Sequence, residues 1–108
     1  MTYVAPHQDA FKAIADPNRR KMLDMMLQDA CTVGALAEAL AISQPAASQH
    51  MQVLRLAGLV DERVEGRRTF YSVRAAQLRT VADWIAKYEA FWTEKLDALE
   101  THLARMKN

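Results

Sequence analysis

Residues 43–60 read SQPAASQHMQVLRLAGLV. Ser43 and Pro45 suit the first turn of a helix, because a serine side chain caps free backbone N–H groups and proline has no N–H to waste there. Gly58 stands where a glycine ends a helix. At 100° per residue, Ala46, Ala47, His50, Met51, Val53, Leu54 and Ala57 fall on one side, a core face. Gln44, Ser48, Gln52 and Arg55 form the opposite stripe, flanked by Pro45 and Gln49. An ordinary solvated helix favours Glu and Lys; this one carries neither. Its amides, hydroxyl and single guanidinium match the donor and acceptor patterns of base edges in a DNA major groove.

The flanking sequence supports that reading. Residues 33–41, VGALAEALA, form a helix with Leu36, Ala37 and Leu40 on its apolar stripe, and Ile42-Ser43 makes a tight connection. Helix, short turn and polar helix are helix-turn-helix spacing over residues 33–57. After Gly58 the period changes. LVDERVEGRRTFYSV has β-branched and aromatic residues on both sides of Glu65-Gly66, which predicts a hairpin with strands at 61–64 and 69–73. This wing, residues 61–73, carries Arg67 and Arg68 at its tip.

Upstream, a short helix is expected from His7 to Ala15 with Phe11, Ile14 and Ala15 on one face. Asp16 then caps a second helix beginning at Pro17, with Met22, Leu23, Met26 and Leu27 at helical spacing. Asp29 to Thr32 break the pattern. The last third, residues 76–106, reads as one long helix. Leu78, Val81, Ile85, Tyr88, Trp92, Leu96, Leu99, Leu103 and Met106 recur in steps of 3, 4, 3, 4, 4, 3, 4 and 3, with Trp84 and Phe91 beside them. That is a heptad repeat with one extra residue near Trp92. A chain of 108 residues cannot easily cover so long a face, which predicts a homodimer. Its interface is expected to use Phe11, Leu78, Val81, Ile85, Tyr88, Trp92, Leu96 and Leu99.

The whole chain, 1–108, is therefore expected to be one mainly α winged helix-turn-helix domain, in the order α-α-α-α-β-β-α, with 76–106 as its dimerisation helix. DPNRRKML, ALAEALAISQPAASQHMQVLRLAGLV and RVEGRRTFYSV together resemble the ArsR/SmtB family of winged helix-turn-helix repressors. The resemblance runs from Phe11 onward and is most specific in the Ser-Gln-Pro-Ala-Ala-Ser-Gln-His-Met block. It implies a small bacterial homodimer bound to a double-stranded DNA operator. Many such repressors release DNA when a metal or another inducer binds.

The metal-ligand motifs of the family are missing. The Cys-x-Cys of its soft-metal sensors, aligned on Leu36-Ala37, falls at Thr32 and Gly34; Cys31 is one place away and is the chain's single cysteine. Thiolate sites need two or more sulfurs close together. The Asp-x-His motif of the last helix falls on Asp83-Trp84-Ile85, with no histidine. His102 stands alone, His50 lies on a core face, and a shared site between subunits using His7 and His102 has no motif behind it. No metal and no cofactor is expected, and the inducer is not readable.

Composition narrows the rest. Net charge is +1, so only local patches speak of nucleic acid. Residues 55–74 hold five arginines against three acids, and residues 75–108 hold five basic and five acidic residues. One cysteine excludes an intrachain disulfide and suits a reducing cytoplasm. MTYVAPHQDAF has no signal-peptide pattern, and no apolar run reaches membrane-spanning length. The three glycines form no phosphate loop, and neither a nucleophile elbow nor His-Glu-x-x-His is present, so no catalysis is expected. The expected function is a sequence-specific, metal-independent repressor on an inverted-repeat operator. The alternatives are a winged-helix protein-interaction module, or a repressor released by a small apolar ligand or by oxidation of Cys31.

Overall fold

The computed structural model describes residues 10–107. Five α-helices and a two-stranded hairpin run in the order α1 (Ala10–Ile14), α2 (Pro17–Gln28), α3 (Val33–Leu40), α4 (Gln44–Leu56), β1 (Val60–Glu65), β2 (Arg68–Val73) and α5 (Arg79–Lys107), with a 3₁₀ turn at Ala75–Leu78 before α5. The order is the expected one and the chain is a winged helix-turn-helix. The last helix begins three residues later than expected, because residues 75–78 wind more tightly before α5 starts.

The expected start of α1 at His7 lies outside the described residues. Within them, the buried face of α1 is Ala10 and Ala13, not Phe11 and Ala15. Phe11 turns its ring edge-on to Trp84 of α5, with centroids 5.8 Å apart. So short a helix needs its loose carbonyls satisfied from outside. The Arg-Arg pair of α2 does this: Arg19 donates to Ala13 O (2.6 Å) and Lys12 O (3.1 Å), and Arg20 to Ile14 O (2.8 Å) and Ala15 O (3.2 Å). Arg19 also reaches across to α4, where its Nη1 lies 3.1 Å from His50 Nδ1. A guanidinium only donates, so in this contact the ring nitrogen accepts.

Asp16 caps α2 as expected, accepting from Asn18 N at 2.8 Å and Arg19 N at 3.2 Å. Desolvation, the largest single influence, pushes its carboxyl upward. The two backbone donors, with the nearby His50 and Arg19, outweigh it and hold the group below its ordinary value. Met22, Leu23 and Met26 are buried, but Leu27 is 67% exposed. The core-facing stripe of α2 is narrower than its apolar spacing suggests, since Leu27 stays largely uncovered among the described residues.

The core gathers Ala10, Ala13, Met22, Leu23, Met26, Leu36, Met51, Leu54, Ala57, Leu59, Val60 and Val81. Helix α4 supplies Ala47, Met51 and Leu54 from its predicted apolar side, while Ala46, His50 and Val53 are only half-buried at the edges of that face. Both helices of the helix-turn-helix end in the same hydrogen-bonded cap. Leu59 N bonds Leu54 O and Gly58 N bonds Arg55 O after α4; Ile42 N bonds Ala37 O and Ala41 N bonds Glu38 O after α3. The first uses glycine at φ +73°, the second an alanine at φ +55°. Left-handed backbone suits glycine and strains an L side chain.

The strands are one or two residues longer than expected, and their turn is Gly66-Arg67 rather than Glu65-Gly66. The register pairs Val60 with Val73 and Glu65 with Arg68. A two-residue hairpin matches the strand twist when its first central residue has positive φ, and Gly66 sits at +61°. A further antiparallel bridge was not legible in the sequence: Cys31 N bonds Tyr71 O at 2.9 Å and Tyr71 N bonds Cys31 O at 2.8 Å. It ties the α2–α3 connection to the inner strand, so the wing is anchored to the body at mid-length.

Candidate nucleic-acid interface

Ser43, with its Oγ accepting from Ala46 N at 3.2 Å, starts α4 and aims its first turn outward. Gln44, Pro45, Ser48, Gln49, Gln52 and Arg55 are all exposed, and the polar stripe faces away from the core. Helix α3 begins beside it, capped by Thr32 Oγ1 on Ala35 N at 3.1 Å. Between these helix starts and the wing runs an open groove of about 550 Å³ whose lining includes Thr32, Gly34, Glu38, Gln44, Arg67, Arg68 and Tyr71. That Gln44 and the wing-tip arginines line one groove was not legible in the spacing of residues along the chain. A smaller hollow of about 170 Å³ continues past Ser48, Gln52, Arg55 and Tyr71.

Charge is distributed unevenly here. Arg55 pairs with Glu62 at 3.0 Å, Arg63 with Glu65 at 3.0 Å and Arg74 with Asp61 at 3.5 Å. Among the described residues, no such carboxylate partner is found for Arg67 or Arg68. The excess of positive charge that composition assigns to residues 55–74 therefore sits at the tip of the wing. Arg55, expected on the DNA-facing stripe, has its guanidinium held by Glu62 and by Gln52 Oε1 at 3.2 Å. Glu62 was not among the expected site residues, because an acid on a predicted strand carries no signal of what it will face.

The residues expected at a dimer interface divide into two groups. Val81 is 7% exposed and belongs to the chain's own core, with Leu78 and Ile85 packed half-buried against it. Their apolar spacing is spent within the chain. Tyr88, Trp92, Leu96 and Leu99 are exposed, as are Trp84, Phe91, Leu103 and Met106, on a helix of 29 residues whose buried side chain is Val81 alone among those described. Phe11, against Trp84, lies at the near end of this face. A hollow of about 320 Å³ lies among Trp84, Ile85, Tyr88 and Trp92.

Cys31 is half-buried, with its thiol donating to Asp29 O at 3.1 Å. Burial and then the Asp29 carboxylate push its pKa up, away from thiolate chemistry. His102 is exposed on α5, and His7 lies outside the described residues. Among the described residues, no three His, Cys, Asp or Glu side chains come together as metal ligands do, and no helix is long and apolar enough to cross a membrane.

Comparison with known proteins agrees with this geometry. Residues 16–62 match the family described as bacterial regulatory protein, arsR family. The chain is 34% identical over 80 residues to the transcriptional repressor SdpR of Bacillus subtilis, covering 74% of this chain and 89% of the relative. It is 39% identical over 98 residues to the HTH-type transcriptional regulator Rv2034 of Mycobacterium tuberculosis, covering 88% and 85%. Its fold matches the solution structure of a homodimeric winged helix-turn-helix DNA-binding domain from Mycobacterium bovis, with a TM-score of 0.60, 30% identity and coverage of 82% and 80%. These relatives are transcriptional regulators, not enzymes. With the fold, the polar helix face and the basic wing already in place, the chain belongs to the arsR family of transcriptional regulators.

Proposed function

We propose that this regulator is a homodimeric, cytoplasmic repressor that reads an imperfect inverted repeat without a bound metal. The observation that carries the DNA-reading part is the shared groove: Gln44 at the start of α4 and Arg67 and Arg68 at the wing tip all line it. In this reading Gln44, Ser48, Gln49 and Gln52 face base edges in the major groove. Ser43, Pro45 and the first-turn amides of α4 meet a phosphate, since helix N-termini favour anions. Arg67 and Arg68 grip the backbone or the adjacent minor groove. The exposed apolar stretch of α5, with Phe11, Tyr88, Trp92, Leu96 and Leu99, packs against a second copy, and the hollow at Trp84 becomes part of that seam. Two such helices related by a two-fold axis call for half-sites about 10 bp apart, or a multiple of it. Metal independence rests on the donor set: one cysteine with a raised pKa, and a His102 that joins no cluster of ligands among the described residues, do not build a thiolate or imidazole site.

The two residue classes fail differently. Gln44→Ala costs about 1–3 kcal/mol on the operator and relaxes one base position per half-site. Arg67→Ala weakens operator and random duplex alike and flattens the salt dependence by roughly one charge per contact. Binding of both variants to operator and scrambled duplexes at two salt concentrations tests this. A Gln44→Ala variant with unchanged preference, beside an Arg67→Ala variant that loses one sequence only, would reverse the roles of helix and wing.

A further inference from the structure

Tyr71 stands in mid-strand, opposite Glu62 in the hairpin register. Its backbone is tied to the body: its N–H donates to Cys31 O at 2.8 Å and its carbonyl accepts from Cys31 N at 2.9 Å. Successive strand residues face opposite sides. Phe70 faces one way, with the Arg63 guanidinium 5.5 Å above its ring. Tyr71 faces the other, half-buried and packed against the core. Val33 and Tyr71 line both the groove of about 550 Å³ and the hollow of about 170 Å³ beside it, and of the two only Tyr71 has a polar side-chain atom. Among the described residues, no buried side-chain oxygen or nitrogen lacks a hydrogen-bond partner. None of their side-chain hydrogen bonds uses the Tyr71 hydroxyl. That hydroxyl is therefore open to solvent, where the two hollows meet.

We propose that the Tyr71 hydroxyl is a further DNA contact, donating to a phosphate oxygen on the strand that borders the groove entered by α4. The proposal rests on α4 being the recognition helix. A phenol can give or take a hydrogen bond. An ionised phosphate oxygen only accepts, so the hydroxyl donates, in a charge-assisted bond. Position favours a phosphate over a base. Ser48, Gln52 and Arg55 share the smaller hollow with Tyr71, but they are exposed while Tyr71 is half-buried. The stripe on α4 reaches the base edges first. Tyr71, set back between helix and wing, meets the strand that rims them. Phosphate contacts fix register and carry no base preference of their own. Because the bridge to Cys31 anchors the strand, this contact sets α4 on the duplex from the rigid body of the domain, whereas Arg67 and Arg68 act from the wing tip.

Tyr71→Phe keeps the ring in its packing and deletes the oxygen. That oxygen has no partner among the described residues, so the variant keeps the wild-type midpoint in urea. The full chain, Tyr71→Phe and Arg67→Ala are titrated with two duplexes at several salt concentrations. One duplex is selected by the wild type from a randomised pool, and the other has the same length and a scrambled sequence. The salt slope counts phosphates neutralised by cationic side chains, and a neutral hydroxyl neutralises none. The expected result is a parallel loss: Tyr71→Phe binds both duplexes about tenfold more weakly at every salt concentration, with the wild-type slope. Arg67→Ala, beside it, loses slope. A Tyr71→Phe variant with wild-type affinity for both duplexes overturns the contact and leaves the DNA reading standing. A loss confined to the selected duplex overturns it too, because the hydroxyl would then meet a base. A loss with a shallower slope or a lower urea midpoint also overturns it, since Tyr71 would then act by holding the wing in place. A wild type that enriches no sequence and binds no duplex removes the DNA reading and the contact together.

Discussion

Ala41→Gly should stabilise the protein, although it deletes a methyl group. Ala41 closes α3 at φ 55° and ψ 41°, inside the left-handed region. An L residue there is disfavoured by roughly 1–2 kcal/mol relative to right-handed backbone. Glycine escapes that penalty but loses about 0.4–1 kcal/mol through the greater freedom of the unfolded chain. The difference is a net gain of about 0.5–1 kcal/mol, within those ranges. Packing offers little offset, since Ala41 is exposed and lies outside the core cluster. The end of α4 supplies an internal comparison: the same pair of cap hydrogen bonds is built there on Gly58. The assay is urea denaturation followed by circular dichroism, at one fixed protein concentration because dimerisation adds to apparent stability. Ala37→Gly, four residues earlier in the buried helical part of α3, is the control. There glycine should cost about 1 kcal/mol from helix propensity, with a further loss from the missing core methyl. If Ala41→Gly were destabilised like Ala37→Gly, the left-handed cap at the turn of the helix-turn-helix would be wrong.

Two further outcomes are expected. Asp16→Ala should cost about 1 kcal/mol near neutral pH, the usual worth of an N-cap. Because the folded-state carboxyl is held below its ordinary value, its charge-dependent stabilisation is complete above the ordinary carboxylate range. It is lost as pH falls through the lowered folded value. The gap between wild type and variant in denaturant midpoint should therefore narrow in strong acid; a gap that widened there would contradict the assignment. Leu96→Glu combined with Leu99→Glu should turn a dimer into a folded monomer, since both side chains are exposed in the single chain and like charges are costly to bury at a seam. Light scattering at micromolar concentration reads this, and a wild type already monomeric there would end the two-fold operator argument.

The sequence by itself determined the elements and the polar face of α4. Caps at Asp16 and Ser43, the stop at Gly58 and the glycine of the wing turn are local chemistry, and each acts within a few residues of where it stands. The polar stripe Gln44, Ser48, Gln52 and Arg55 follows from helical angle alone, and the apolar repeat of α5 was visible for the same reason. What the repeat did not reveal is which of its members face the chain's own body. Val81 and Tyr88 have the same periodic status, yet one is in the core and the other in the open, because only the placement of α1 and the wing decides where the body ends. Tertiary structure likewise decided the partners that lie far along the chain. The bridge between Cys31 and Tyr71, the reach of Arg19 from α2 to His50 on α4, and the hold of Glu62 on Arg55 all join side chains or backbone on different elements. Hydrogen bonds are short and directional, so such pairs form only once packing has brought two elements to within about 3 Å, and no periodicity along one element carries that distance.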